Sequence, residues 1–261
     1  MLSIIFVLQH SIDYSAINRL QVTRWYPRMR REFERSSVRW GNKLENARLL
    51  ALYKNTDEPR VHVISLARTR ARRAQLIEEL HKERVQFDVF TAVDGSMDLA
   101  YSDILRYAGS RKQQKMTSIT PLNTPSEKNE LHERLRFGCY MSHVRLWELQ
   151  VESSIPHQVI LEDDVHLCEG FLADINHALQ NLPIQWDTFY LASYHTKLGG
   201  FLRPGIRQVK GALCTHRYVM SLSGAAKLIG KYALNSEKPV DHMLDQVIYR
   251  SLLVAYHADP P

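Results

Sequence analysis

The chain has 261 residues, of which 44% are hydrophobic and 24% are charged, enough to bury one large α/β core or two small ones. Its three cysteines form no Cys-x-x-Cys pair, which argues against a disulfide framework or a structural zinc site and favours a reducing compartment. The longest apolar run, residues 2–8, is too short to span a bilayer and lacks the flanking features of a signal peptide.

The net charge of +6 is concentrated in the N-terminal part of the chain. Residues 1–60 carry 11 Lys and Arg against 6 Asp and Glu, whereas the rest of the chain is nearly balanced. Segment 24–40 interleaves six arginines with four aromatic residues. It fits a solvated helix packed on the main domain, a segment on an anionic membrane surface, or a nucleic-acid contact. We expect a basic, helical extension over 1–60 and a near-neutral main domain over 61–261, which argues against nucleic-acid binding.

Apolar periodicity and turn residues predict alternating strands and helices in the main domain. Strands are predicted at 60–66, 87–95, before the acids 162–164, and at 187–193, 214–221 and 251–257; helices are predicted at 68–84, 139–152, 171–181, 224–234 and 243–250. The polar segment 109–134 is predicted to be a long loop. Strand–helix–strand units favour an α/β fold with an open, mixed, mostly parallel sheet and flanking helices, which binds ligands at the carboxyl ends of its strands.

The segment HQVILEDDVHL, residues 157–167, sets three carboxylates directly after an apolar strand. Because strand side chains alternate, Glu162 and Asp164 are expected on one side and Asp163 on the other. Neighbouring carboxylates repel each other unless they share a cation, and a few oxygen ligands suit Mg²⁺ or Mn²⁺. We expect an incoming metal–diphosphate to neutralise the cluster, so that no permanent basic residue is required there. A solvated acidic turn and a phosphatase or nuclease metal site are the alternatives.

Several segments occur in an order that resembles glycosyltransferase family 25. They are VHVISLARTRARR, FTAVDG, FGCYMSHVRLWE, HQVILEDDV, RYVMSLSGAAKLI and KPVDH, which together cover roughly residues 60–257. This family contains bacterial lipooligosaccharide β-galactosyltransferases and collagen galactosyltransferases. The resemblance implies a GT-A type fold, a UDP-sugar donor, a divalent cation (Mn²⁺ or Mg²⁺) and inversion at the anomeric carbon.

The resemblance also implies roles for residues on the donor side. Asp164 would bind the metal directly, Glu162 would act through water, and Asp163 would hydrogen-bond the ribose. The residues expected near the nucleotide are Ser65, Leu66, Arg68, Arg73, Asp94 and Gly95. Arg73 would pair with a phosphate, and the alternative for it is an exposed helix arginine. The alternative for the Asp94–Gly95 pair is a plain surface turn.

Inversion by direct displacement needs one general base to take the proton of the acceptor hydroxyl. Asp241 is the candidate base, and capping of a helix that begins at Met243 is its structural alternative. His257 is a candidate metal contact, because imidazole is a common metal ligand. The candidates for the acceptor side are Ser142, His143 and His242.

The expected function is therefore metal-dependent, inverting transfer of a hexose, with galactose favoured, from a UDP-sugar to a lipooligosaccharide- or lipopolysaccharide-type acceptor. The cysteine usage and the basic segment suit a cytoplasmic enzyme that contacts the inner membrane peripherally through residues 1–60. Two alternatives stay open. One is a collagen-type hydroxylysine galactosyltransferase, and the other is a non-catalytic member that binds only nucleotide or glycan.

Overall fold

The computed structural model describes residues 59–97, 127–232 and 238–259. The elements, in chain order, are β1 (Arg60–Ser65), α1 (Arg70–Lys82), β2 (Phe87–Thr91), α2 (Glu127–Ser153), β3 (His157–Glu162), α3 (Phe171–Asn181), β4 (Thr188–Tyr190), β5 (Tyr194–Arg203), β6 (Ile206–Leu213), β7 (Arg217–Ser221), α4 (Leu222–Lys227), a π-helical turn (Leu228–Tyr232), α5 (Val240–Tyr249) and β8 (Ala255–Ala258). The predicted extension over 1–60 lies outside the described residues apart from its last two, so its boundary stays a prediction. Within the described ranges, no helix is both long enough and apolar enough to cross a membrane.

The described strands form one eight-stranded sheet in the order β2-β1-β3-β7-β4-β8-β6-β5. β1 pairs in parallel with β2 and with β3, and β4 pairs in parallel with β8. The other four neighbouring pairs are antiparallel. The predicted α/β fold with a mixed sheet is confirmed, but the expectation of a mostly parallel sheet was wrong. β7 runs in reverse between β3 and β4, and β5 and β6 form a hairpin. The GT-A assignment stays a prediction.

Helices cover both faces of the sheet, because each face carries its own apolar cluster. One face packs against α1 and α3, and its helix residues are Leu76, Leu80, Phe171 and Ile175. The other face packs against α2, α4 and α5, and its largest helix residues are Tyr140, Trp147, Met243, Leu244 and Ile248. The apolar side of α2 lies in this core, since Tyr140, Val144 and Trp147 are at most 1% exposed.

One local prediction was wrong, and one supersecondary element was missed. The segment 127–134, predicted to be loop, forms the first turns of α2; its Glu, Lys, Leu and Arg residues are good helix formers. Residues 109–126 of that predicted loop lie outside the described residues. The β5–β6 hairpin was missed, although the Pro204–Gly205 pair marks its turn and Gly205 has a positive φ of 79°.

A buried histidine in β1 makes the stability of the fold depend on pH. His62 is fully buried and lies 3.1 Å from the side-chain amide of Gln158. Burial, helped by the charge of Arg60, lowers the pKa of His62 from 6.5 to about 3. As the pH falls below 6.5, the unfolded chain takes up a proton at this side chain while the folded chain stays neutral. Stability is therefore lost through the window between these two pKa values.

We expect this titration to cost about 2–3 kcal/mol of unfolding free energy by pH 4.5. His62→Gln keeps a polar side chain of similar size and removes the titration. Urea unfolding at pH 7.5 and 4.5 should therefore show a smaller acid loss in the variant than in the parent. An equal loss in both proteins would contradict the assignment.

Candidate functional site

Three side chains of the types that bind metal ions meet at the carboxyl end of β3. Glu162 is the last residue of β3, Asp164 lies in the turn after it, and His216 lies just before β7. One ligand atom from each lies within 4.8 Å of the other two. The backbone N–H of Glu162 donates to the carbonyl of His216 at 2.7 Å, which holds the two segments together. Glu162 and Asp164 thus lie together, as alternation along the strand predicts.

The carboxylate of Glu162 is kept ionised by its neighbours. His143 Nε2 lies 3.3 Å from its Oε1, and the hydroxyl of Thr215 donates to the same oxygen at 3.0 Å. Burial by itself raises the pKa of Glu162. The hydrogen bond from His143, the electrostatic effect of His143 and His216, and the bond from Thr215 outweigh burial and lower this pKa to about 2. The side chain is therefore an anion at any physiological pH.

Asp163 turns away from this pair, and each of its two oxygens already has a partner. Its Oδ2 accepts hydrogen bonds from the hydroxyls of Ser65 at 2.6 Å and Thr69 at 2.9 Å. Its Oδ1 forms an ion pair with Arg72, which also lies 3.6 Å from Oδ2 of Asp164. The expectation that the acids need no resident basic residue was therefore wrong, because Arg72 supplies one. A ribose contact for Asp163 stays a prediction and would require one of these bonds to be exchanged.

The donor set fits a small divalent cation. Two carboxylates and one imidazole suit Mn²⁺, and the carboxylates also suit Mg²⁺. Both hydrogen bonds to Glu162 go to Oε1, and among the described residues none reaches Oε2. The side chain of Asp164 is 36% exposed, so an ion from solvent can reach it. The identity of the ion and the water-mediated role of Glu162 stay predictions.

The residues predicted to contact the nucleotide gather where β1 and β2 end side by side. Ser65 is the last residue of β1, and its hydroxyl accepts a long hydrogen bond from Nη1 of Arg73 at 3.4 Å. The carbonyl of Leu66 accepts from the backbone N–H of Thr69 at 3.1 Å, so its oxygen is used within the turn that leads to α1. These three predicted residues therefore lie beside one another, at the strand ends where α/β sheets bind ligands.

Arg68 and Asp94 join the ends of the two strands. Nε of Arg68 donates to Oδ2 of Asp94 at 2.6 Å, and the backbone N–H of Ser96 donates to Oδ1 at 3.0 Å. Burial raises the pKa of Asp94, but the hydrogen bonds from Arg68 and Ser96 and the charge of Arg68 outweigh it and lower that pKa. Asp94 is thus an anion that orients Arg68. The nucleotide contact of both residues stays a prediction.

The turn at Gly95 is seated against α2 by contacts that exclude larger residues. A Cβ on Gly95 would lie 1.9 Å from the carbonyl oxygen of Arg134, and one on Gly138 would lie 2.6 Å from that of Val93. The hydroxyl of Ser142 accepts from the N–H of Val93 at 2.9 Å and donates to the carbonyl of Gly138 at 2.8 Å. Gly95 and Ser142 therefore have structural roles here, and their predicted ligand contacts stay predictions.

Asp241 lies in the first turn of α5 and faces the segment between β6 and β7. Its Oδ2 accepts a long hydrogen bond from the N–H of Cys214 at 3.4 Å, and its Oδ1 accepts from the N–H of His242 at 2.8 Å. The helix begins one residue before Asp241 with Pro239 at its N-cap position. The alternative assignment of Asp241 as the cap of a helix from Met243 was therefore wrong.

Two cysteine thiols show that Asp241 shares an electrostatic environment with the acidic pair. Cys139 has surface open to solvent, yet partial burial of its thiol and the charges of Glu162, Asp241 and Asp164 raise its pKa to about 12. Burial and the same three charges raise the pKa of Cys214, against a hydrogen bond from a backbone N–H. Asp241 thus lies close enough to act on the same thiols as Glu162 and Asp164.

The predicted histidines occupy three different environments. His143 is fully buried behind Glu162, and His242 is exposed beside Asp241. His257 lies in β8, paired with Tyr190 of β4, and it is outside the metal-ligating groups of the described residues. The structure therefore does not bring His257 to the acidic pair. Its metal role, and the acceptor-side roles of His143 and His242, stay predictions.

Two residues of the site escaped prediction from the sequence. His216 is a single histidine before a strand, without the spacing that marks a metal motif. Arg72 lies next to the predicted Arg73 in an arginine-rich segment, and only its position on the helix distinguishes it from the neighbouring arginines. The one usable signal was a rule of pairing, since buried acids at a strand end call for a nearby donor or cation.

Comparison with known proteins places these observations in a family. The profile of glycosyltransferase family 25 (LPS biosynthesis protein) matches residues 58–204. Inactive glycosyltransferase 25 family member 3 of Mus musculus is 29% identical over 193 residues, 70% of this chain and 31% of that protein. Procollagen galactosyltransferase 2 of Homo sapiens is 24% identical over 210 residues, 76% of this chain and 32% of that protein. A putative glycosyltransferase of Haemophilus influenzae is 28% identical over 200 residues, 74% of this chain and 63% of that protein.

The end of β3 carries carboxylates that could hold a cation, and Arg72 lies beside them at the edge of an α/β sheet. Such a site suits an enzyme that handles phosphorylated ligands. The family profile covers more than half of the chain. The chain therefore belongs to glycosyltransferase family 25, and this membership supports a transferase. The alignments span about a third of the length of the two mammalian relatives and less than two thirds of the bacterial one.

Proposed function

We propose that this chain is a metal-dependent, inverting glycosyltransferase that moves galactose from UDP-galactose to a lipooligosaccharide- or lipopolysaccharide-type acceptor. The observation that carries the proposal is the group of Glu162, Asp164 and His216 at the end of β3, with an anionic Glu162. This group lies in a family 25 chain, next to the guanidinium of Arg72. A diphosphate leaving group needs positive charge, which a bound ion and the nearby arginines would supply.

The metal site would use the acids in different ways. Asp164, the most accessible of the three, would hold the ion directly, and Glu162 would support it through water. A bound Mn²⁺ or Mg²⁺ would supply the positive charge that stabilises the departing diphosphate. Arg72 lies 3.6 Å from Asp164 and is half exposed, so its guanidinium is able to turn from the carboxylate towards a phosphate.

The donor nucleotide would lie across the ends of β1 and β2. Ser65, Leu66 and Arg68 would contact the base, and Arg73 would pair with a phosphate. Asp94 would support Arg68 and, with Gly95, form the turn that faces the nucleotide. Asp163 would reach the ribose by exchanging one of its hydroxyl partners, since Ser65 and Thr69 occupy its Oδ2.

Asp241 would act as the general base. It accepts one long hydrogen bond and one from its neighbour's N–H, so its carboxylate keeps lone pairs for an acceptor hydroxyl. The acceptor oxygen would attack the anomeric carbon of galactose while its proton passes to Asp241. The bond to the diphosphate would break, and its electron pair would leave with UDP. His242, exposed beside the base, would contact the acceptor.

The names of two relatives support two different alternative functions. The name of the human relative supports a collagen-type hydroxylysine galactosyltransferase as the alternative acceptor chemistry. The name of the mouse relative supports a non-catalytic member. Against the latter, this chain has all three carboxylates at the end of β3 and Asp241 nearby. We therefore retain the proposal of a catalytically active glycosyltransferase whose acceptor is a glycan.

The proposed location is the cytoplasm, with peripheral contact to the inner membrane through the basic segment in residues 1–60. Flotation with anionic vesicles compares the full chain with a chain that lacks those residues. Equal partitioning of the two would remove this part of the proposal.

A donor screen tests the activity itself. We expect the full chain to hydrolyse UDP-galactose slowly without acceptor, to require Mn²⁺ or Mg²⁺, and to lose activity with EDTA. Other UDP-hexoses serve as controls for the sugar. Activity that survives EDTA would refute the metal requirement, and no turnover of any donor would favour the non-catalytic alternative. Addition of a lipooligosaccharide core or of a hydroxylysine peptide then separates the two acceptor classes by which one receives galactose.

A further inference from the structure

Three fully buried side chains lie in line behind Glu162. Nε1 of Trp147 donates to the hydroxyl of Tyr218 at 3.0 Å, and this hydroxyl lies 2.9 Å from Nδ1 of His143. The other ring nitrogen of His143, Nε2, lies 3.3 Å from Oε1 of Glu162. Trp147, Tyr218 and His143 are each 0% exposed, so bulk water offers them no other partner. The line therefore has to satisfy its own hydrogen bonds.

The direction of these hydrogen bonds follows from the indole. Trp147 can only donate, so it takes a lone pair of the Tyr218 oxygen. A phenol keeps its proton at neutral pH, and within the described residues Nδ1 of His143 is the one acceptor in reach of it. Nδ1 of His143 must then be unprotonated. A neutral imidazole with a free Nδ1 carries its proton on Nε2, the nitrogen that faces Glu162.

We propose that Trp147, Tyr218 and His143 form a one-way hydrogen-bond chain that positions the carboxylate of Glu162, with His143 a neutral donor to Oε1 and not a metal ligand. Thr215 donates to the same oxygen at 3.0 Å. Both donors therefore fix the rotation of the carboxylate and leave Oε2 for an ion. The link to the ion rests on the proposed function, whereas the direction of the chain does not.

The direction of these hydrogen bonds also decides between two groups of residues that could hold an ion. Ligand atoms of Cys139, His143 and Glu162 lie within 4.8 Å of one another, as do those of Glu162, Asp164 and His216. An ion in the first group needs a lone pair on Nε2 of His143, where the proton lies. Moving that proton to Nδ1 would leave the buried hydroxyl proton of Tyr218 without an acceptor, which is costly. The ion is therefore assigned to the second group.

The tautomer of His143 can be read directly in the metal-free full chain. Long-range proton–nitrogen correlation spectra of ¹⁵N-histidine-labelled protein distinguish the two neutral tautomers, and His143→Gln identifies the signal among the 12 histidines. We expect the Nε2–H form in the parent. In Tyr218→Phe the ¹⁵N shift of Nδ1 should move, because the phenol no longer donates to it, while the carboxylate of Glu162 keeps the proton on Nε2. An Nδ1–H form in the parent, or an unchanged signal in Tyr218→Phe, would overturn the proposal.

Mn²⁺ affinity, measured by electron paramagnetic resonance, tests what the chain does for Glu162. We expect Tyr218→Phe to weaken Mn²⁺ binding roughly tenfold or more, as loss of supporting hydrogen bonds does at other metal sites. Tyr190→Phe is the matched control, since Tyr190 is also fully buried in the same cluster and its hydroxyl has no hydrogen-bond partner in the described part of the chain. Equal affinities in the two variants would overturn the positioning role.

The two proposals fail in different ways. If the parent shows the Nε2–H tautomer but binds no Mn²⁺, the metal site of the proposed function is refuted and the direction of the hydrogen bonds stands. If the parent binds Mn²⁺ with the Nδ1–H tautomer, the chain is refuted and the metal site stands.

Discussion

Replacing Asp164 with asparagine is expected to lower metal-dependent turnover of UDP-galactose about a thousandfold while leaving the fold intact. The amide keeps the size of the side chain but removes one of the two carboxylates proposed to hold the metal, and losing electrostatic stabilisation of a leaving group costs about that much. The side chain of Asp164 is 36% exposed and its ion pair with Arg72 is long, so the unfolding free energy should change little.

The measurement is the initial rate of donor hydrolysis with saturating Mn²⁺, with urea unfolding of the metal-free protein as the check on folding. Asp174→Asn is the matched control, because Asp174 is an exposed aspartate in the first turn of α3 and belongs to neither candidate metal group of the described residues. Full activity in Asp164→Asn would remove this residue from the mechanism. Loss of activity in both variants would point to a general effect of charge.

The largest expected effect on stability comes from Lys227→Met. Asp187 is 2% exposed and accepts two hydrogen bonds from Nζ of Lys227, at 2.8 and 2.7 Å, and one from the N–H of Val254 at 2.8 Å. Methionine removes the only cation paired with this carboxylate among the described residues. Leaving a buried charge without its partner costs about 3 kcal/mol or more. Urea unfolding at pH 7 should show this loss.

A double variant separates the cost of the stranded charge from the cost of lost packing. Asp187→Asn combined with Lys227→Met keeps an acceptor for Val254 and removes the charge, so it should recover about 1–2 kcal/mol of the loss. Lys82→Met is the control, since Lys82 and its partner Glu78 are 70% and 71% exposed and their pair contributes about 0.5 kcal/mol or less. If Lys227→Met is no more destabilising than Lys82→Met, the buried pair has been misjudged.

The fold was predictable wherever one element reveals itself by its own pattern. The helix predicted at 171–181 has the observed bounds, because its apolar face and flanking glycine are local signals. The direction and order of the strands were not predictable in this way. Nothing in the sequence of β7 states that it enters the sheet in reverse between β3 and β4, since that depends on which neighbours bury it.

In the candidate site, too, local patterns were predictable and contacts between distant segments were not. Alternation along a strand predicted that Glu162 and Asp164 lie together, and this needs only three consecutive residues. His216, Arg72 and the Trp147–Tyr218 pair enter from other elements, where their side chains read as ordinary surface or core residues. Their roles depend on hydrogen bonds across the sheet, and a single sequence carries no signal for such partners.

The hydrogen bonds of Asp163 affect how a ligand would bind. Its bonds to Ser65 and Thr69 tie the end of β3 to the end of β1 and to the start of α1 before any ligand arrives. Association is weakened by the entropy lost in ordering a binding surface. Here that ordering has already taken place during folding. A molecule that binds at this edge meets a preorganised surface, and more of its contact energy is retained as affinity.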